Sequence, residues 1–188
     1  MITPNREPIR IMLVDNHTLV RTGFRMLIDS QPGLKVVGEA GSIAGALAVA
    51  AQEQPDIILL ELNLNGSQDT EIIPQLLCAA QKARLLLVTA DRDPQIQQQA
   101  VRSGAMGVVL KEQPAEVLTK AIQKVHAGEA WLDRTMIANV LAKMSRARAW
   151  GRETRSRVDC RAQPARTRGR YAHWSGTQKQ ADRRKPLH

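Results

Sequence analysis

Asp15, Asn16, Glu61, Asn63, Thr89 and Lys111 each stand just after a short aliphatic run, and together they form a set able to handle phosphate. Two carboxylates with amide and hydroxyl oxygens could coordinate a hard divalent cation such as Mg²⁺. A threonine hydroxyl and a lysine ammonium could hold the oxygens of a phosphoryl group. Singly, each residue has a plainer explanation. Asp15 could cap the helix that follows it, Thr89 could be an ordinary strand end, and Lys111 could be a solvated side chain. Their recurrence at four ends of one sheet is what turns the balance toward a shared pocket.

The elements that must position them are legible in the hydropathy pattern. IRIMLV (9–14), KVVGEA (35–40), DIILLE (56–61), RLLLVT (84–89) and GVVLK (107–111) are short apolar runs with no polar alternation. Such runs suit parallel strands covered on both faces. Between them lie helical segments of roughly ten to fifteen residues. Leu19 to Ile28 places Leu19, Val20, Gly23, Phe24, Leu27 and Ile28 along one stripe, and Ser42 can cap a second helix carrying Ile43, Ala46, Leu47 and Ala50. Asp69 or Thr70 is predicted to open a third helix, Asp93 with Pro94 a fourth, and Gln113 with Pro114 at the first helical position a fifth. The fold class predicted is α/β: a flavodoxin-like (βα)5 doubly wound parallel sheet, followed by a linker helix and a basic tail. Right-handed crossovers then bring every strand's C-terminal end to one edge.

Charge divides the chain of 188 residues in two. Residues 1–145 carry 14 basic and 15 acidic side chains, whereas residues 146–188 carry 13 basic and 3 acidic, so the formal +9 describes neither part. An aromatic content of 3% leaves the core to aliphatic side chains, and collagen-like or wholly disordered classes are excluded. Pro4, Glu7 and Pro8 interrupt the start where a signal peptide needs an apolar run, and no 18 apolar residues stand together, so a cytoplasmic location is expected.

V-D-N-H at 14–17, L-L-E-L-N at 59–63, V-T-A at 88–90 and V-L-K-E at 109–112 occur in an order and spacing that resembles the receiver domain of two-component response regulators. LVRTGFRMLID (19–29) and HAGEAWLD (126–133) are similar to the first helix and the linker of the subfamily that carries a LuxR/NarL-type helix-turn-helix. The resemblance covers about residues 9–145. It implies domains at 1–128 (receiver), 129–147 (linker, with a helix at about 132–145) and 148–188 (basic tail, expected to be disordered). In that family an aspartate at the end of strand three accepts a phosphoryl group from a histidine kinase with the help of Mg²⁺. By position the acceptor is Glu61, the acid pair is Asp15 and Asn16, the backbone carbonyl of Asn63 is a metal ligand, and Thr89 and Lys111 engage the phosphoryl oxygens.

Three positions depart from the family's pattern. Glu61 is one methylene longer than the usual aspartate, which displaces the carboxylate in a reaction that depends on ångström-level placement. Asn16 removes a negative charge and so weakens any hold on Mg²⁺. Val108 replaces the aromatic residue that usually couples to the threonine in switching. The expectation is a pseudo-receiver, not an enzyme, with Glu61 in a standing ion pair with Lys111 and any homodimer constitutive. The competing reading is a Mg²⁺-dependent phosphohydrolase, which usually needs a second acid two residues beyond its nucleophilic aspartate; His17 and Asn63 occupy those places. A nucleotide-binding module ranks last, because no glycine-rich phosphate loop follows the first strand.

The tail has three readings. Arg166, Arg168, Arg170, Arg183, Arg184 and Lys185, with Trp150, Tyr171 and Trp174, could form an arm that binds nucleic acid without sequence preference. It could instead be a solvated segment, since Val158 and Leu187 alone cannot make a core. Read one nucleotide later, permitted codons for residues 168–188 give a segment ending IGQGLKNKQIAESLC, which resembles the start of a LuxR-type helix-turn-helix. On that reading the tail is an out-of-frame remnant and sequence-specific DNA binding is lost.

Overall fold

The computed structural model describes residues 7–64, 70–133 and 136–138. Five strands alternate with five helices: β1 (Ile9–Val14), α1 (Thr18–Asp29), β2 (Leu34–Ala40), α2 (Ile43–Glu53), β3 (Ile57–Leu60), α3 (Ile72–Ala79), β4 (Arg84–Thr89), α4 (Pro94–Ser103), β5 (Gly107–Leu110) and α5 (Ala115–His126). All strand pairs are parallel, in the order β2-β1-β3-β4-β5. The predicted (βα)5 sheet is therefore the observed one. Its aliphatic runs follow from their position, because alternate residues of each central strand enter different cores. Met12, Val14, Ile58, Leu60, Leu85 and Leu87 pack with α2 and α3 on one face. Ile11, Leu13, Ile57, Leu59, Leu86 and Val88 pack with α1 and α5 on the other.

Two glycines permit close approaches. A Cβ on Gly38 would lie 2.5 Å from Val49 of α2, and one on Gly107 would lie 2.8 Å from both Leu86 and Trp131. The second approach matters for the chain's exit. Val108 N–H donates to the Trp131 carbonyl at 3.0 Å, and Trp131 N–H donates to the Met106 carbonyl at 3.0 Å. The segment placed in the linker thus covers the outer edge of β5, and Met136 beyond it is buried. Of the helix anticipated at about 132–145, residues 132 and 133 are not helical, residues 136–138 are, and the others lie outside the described residues.

The helix starts follow the sequence with two differences. Ser42 caps α2 by accepting from Gly45 N–H, and Asp93 caps α4 by accepting from Gln95 N–H. Helix α3 begins later than Thr70, at Ile72, with no side-chain cap; Pro74 falls in its first turn, where a missing N–H leaves no intrahelical bond unmade. Pro114 sits just before α5 in an extended conformation (ψ 149°) and is not its first residue. Its carbonyl accepts from Val117 N–H, and Gln113 accepts from Leu110 N–H through its side chain.

Candidate functional site

Backbone bonds at the ends of four strands set the spacing of the site. Asp15 N–H donates to the Ala40 carbonyl at 3.1 Å, Glu61 N–H to Val14 at 2.8 Å, and Lys111 N–H to Thr89 at 2.9 Å. These bonds carry the parallel ladder one residue past each strand, so that Asp15, Glu61, Thr89 and Lys111 converge. Asp15, Glu61 and Thr89 are buried, with 3%, 6% and 3% of their surface exposed.

The polar atoms of this pocket satisfy one another. Lys111 Nζ lies 2.5 Å from Asp15 Oδ2 and 2.9 Å from Glu61 Oε2. Glu61 Oε1 accepts from the Thr89 hydroxyl at 3.2 Å and from Asn63 N–H at 3.1 Å. Asp15 Oδ1 accepts from His17 N–H at 2.8 Å, and the His17 ring nitrogen Nδ1 lies 3.1 Å from the same oxygen. Thr89 Oγ1 in turn accepts from Asp91 N–H at 3.1 Å. Among the described residues no buried side-chain nitrogen or oxygen lacks a partner. Two buried carboxylates around one ammonium would be costly if any member were unpaired, so this mutual satisfaction is what makes the cluster tenable. Burial alone would lower the Lys111 pKa, but the hydrogen bonds to Asp15 and Glu61 and the charges of both outweigh it and hold the ammonium above lysine's ordinary value.

The remaining candidates are placed differently. Asn16 is exposed, while Asn63 meets the pocket through its N–H on Glu61. Val108 is half-buried on the face of the sheet that packs against α2 and α3. Arg166, Arg168, Arg170, Arg183, Arg184 and Lys185 lie outside the described residues. Two contributors to this edge carried no sequence signal as partners: Arg21, whose guanidinium reaches the Asp15 carbonyl at 2.7 Å, and the exposed pair Arg92 and Glu112, 2.5 Å apart.

Receiver domains generally bind Mg²⁺ at this edge. The donors present here do not fit that ion. All four carboxylate oxygens of Asp15 and Glu61 already accept hydrogen bonds, Lys111 supplies the positive charge between them, and Asn16 adds no negative charge to attract a cation. Among the described residues no cluster of three His, Cys, Asp or Glu side chains is placed to hold a metal. No helix among them is long and apolar enough to cross a membrane.

Residues 11–123 match the response regulator receiver domain family. Among curated proteins, the DNA-binding transcriptional activator DevR/DosR of Mycobacterium tuberculosis is 34% identical over 136 residues, covering 72% of this chain and 63% of that protein. The nitrate/nitrite response regulator protein NarL of Escherichia coli is 32% identical over 145 residues, covering 77% and 67% respectively. The chain thus spans about two thirds of the length of these relatives. Among solved structures, a two-component response regulator of the LuxR family from Aurantimonas sp. superposes with a TM-score of 0.65 at 30% identity, covering 74% of this chain and 99% of that one. With the strand order, the converging pocket and these relatives in agreement, the chain belongs to the response regulator receiver family, in its NarL/LuxR-type lineage.

Proposed function

We propose that this receiver is a pseudo-receiver: a two-component regulator of the transcription-factor lineage whose pocket stays in one state and does not cycle through phosphorylation. The observation that carries this reading is the engagement of both Glu61 oxygens, one with Lys111 and the other with Thr89 and Asn63 N–H. In-line transfer needs a carboxylate oxygen free to approach phosphorus and two groups free to take the phosphoryl oxygens. Here the carboxylate of Glu61 occupies those two groups itself. The longer side chain that impairs attack is the one that reaches Thr89 and Lys111, so loss of chemistry and gain of a standing anion have a single cause.

On this reading a histidine kinase would dock without productive transfer, and any homodimer would form independently of a phosphodonor. The tail residues Arg166 to Lys185 would give salt-sensitive, sequence-indifferent affinity for nucleic acid. The test is incubation of the full chain with acetyl phosphate and Mg²⁺, followed by intact mass and peptide mapping. The mass is expected to stay unchanged; a stoichiometric phosphoryl group on Glu61 would overturn the proposal.

A further inference from the structure

The pocket is tied to α1 and β2 by one guanidinium. Arg21, in the first turn of α1, has a side chain only 16% exposed. Its Nη1 donates to the Asp15 carbonyl at 2.7 Å, its Nε to Glu39 Oε2 at 3.3 Å, and its Nη2 to Thr18 Oγ1 at 3.3 Å. Glu39, on β2, is shared, because Arg25 Nε donates to its other oxygen. The fit is close: a Cβ on Gly41 would lie 3.1 Å from Arg21 Nη1. The Asp15 residue is therefore held at both backbone groups, its N–H by the Ala40 carbonyl and its own carbonyl by Arg21.

That anchorage bears directly on the ion pair. The loop from Asp15 to His17 joins β1 to α1, and the Asp15 carboxylate is aimed by its backbone, with Oδ1 on His17 N–H and Oδ2 on Lys111. Without Arg21, the Asp15 carbonyl would lose a charged donor in a half-enclosed place and would turn toward water. The carboxylate would swing with it, away from Lys111. A guanidinium suits this task because its fork of donors serves the carbonyl, the hydroxyl and the carboxylate at once, which a lysine ammonium cannot do with the same geometry.

We propose that Arg21 is a positioning residue. Held by Glu39, it fixes the Asp15 backbone and through it the Asp15–Lys111 contact, so α1 and β2 govern whether the Lys111 amine is shielded or available. The inference rests on the pocket being a standing ion-pair network, as proposed above.

Trace labelling of the full chain with acetic anhydride, resolved by peptide mass mapping, reads this out. In the wild type Lys111 should label much more slowly than the exposed Lys35, Lys82, Lys120 and Lys124. Arg21→Met should raise the Lys111 rate several-fold and leave those four unchanged, with Glu39→Gln and Arg21→Lys giving smaller increases. Ile28→Val, a core change on the same helix, controls for stability and should leave Lys111 protected. The proposal fails if Lys111 stays as slow in Arg21→Met and Glu39→Gln as in the wild type, or if Ile28→Val accelerates it equally. If Arg21→Met does not fold, Glu39→Gln carries the same comparison. Fast labelling of Lys111 in the wild type would instead sink the pocket reading itself, before any variant is considered.

Discussion

Two ion-pair sites lie at the same sheet edge and both involve the residues that follow β5, yet they do different work. Arg92 and Glu112 meet at 2.5 Å with side chains 71% and 51% exposed, whereas Lys111 meets Asp15 and Glu61 with all three side chains largely enclosed. Water solvates the first pair whether or not it forms, so its net contribution is small. For the second, removing the ammonium leaves two buried carboxylates with no cation between them. Proximity of opposite charges therefore says little about consequence; enclosure decides it. The enclosed network is also the one on which the proposed function rests: on that proposal, a pocket whose charges satisfy one another leaves no free place for an incoming phosphoryl group.

The contrast can be pressed hardest at Lys111. Lys111→Met leaves two buried carboxylates facing each other and should cost about 3 kcal/mol in urea unfolding, near the lower end for a broken buried pair since the lysine keeps some water contact. Its pH dependence has a definite sign. Lys111 is more basic in the folded chain than in the unfolded one, so its contribution is fully present below lysine's ordinary pKa and is lost as pH rises through the raised value. As pH is raised from neutrality, the Lys111 contribution to the gap between wild type and Lys111→Met should be lost only in strongly alkaline solution. A gap that closes already in mildly alkaline solution would show that the ammonium is not held as described.

Glu61→Gln should have a smaller effect, about 1–2 kcal/mol, because the amide oxygen can still accept from Thr89 and Asn63 while Lys111 keeps Asp15. The smallest effect belongs to the exposed pair: Arg92→Ala should leave the melting temperature unchanged within the scatter of repeat scans, at low salt and at high. A clear loss there would erase the distinction between the two sites.

Much of this was legible in the sequence, for identifiable reasons. Central parallel strands must be apolar on both faces, so IRIMLV, DIILLE and RLLLVT announce themselves, and a parallel sheet has only one edge at which Asp15, Glu61, Thr89 and Lys111 can follow their strands. What was not legible involves backbone partners. The Arg21 bond to the Asp15 carbonyl, and the Trp131 bridge that closes the edge of β5, leave no residue-type pattern, because every residue carries the same carbonyl and nearly every one the same N–H. Asn63 illustrates the same limit: its place beside Glu61 could be read, but that it meets the site by donating its N–H could not. The start of α5 shifted because Pro114 is compatible with more than one position around a helix start, and α3 begins at Ile72 without a side-chain cap, so no capping residue marks it in the sequence.

The measurement that bears most directly on the central claim is a double-mutant cycle between Glu61 and Lys111, with Glu61→Gln, Lys111→Met and the double variant unfolded in urea at neutral pH. Because the two side chains share one enclosed network, the losses are predicted to be non-additive, with a coupling of about 1–3 kcal/mol. Additive losses, within about 0.3 kcal/mol, would mean that the Glu61 carboxylate is not committed to Lys111, and the pocket would be open to a phosphoryl group after all.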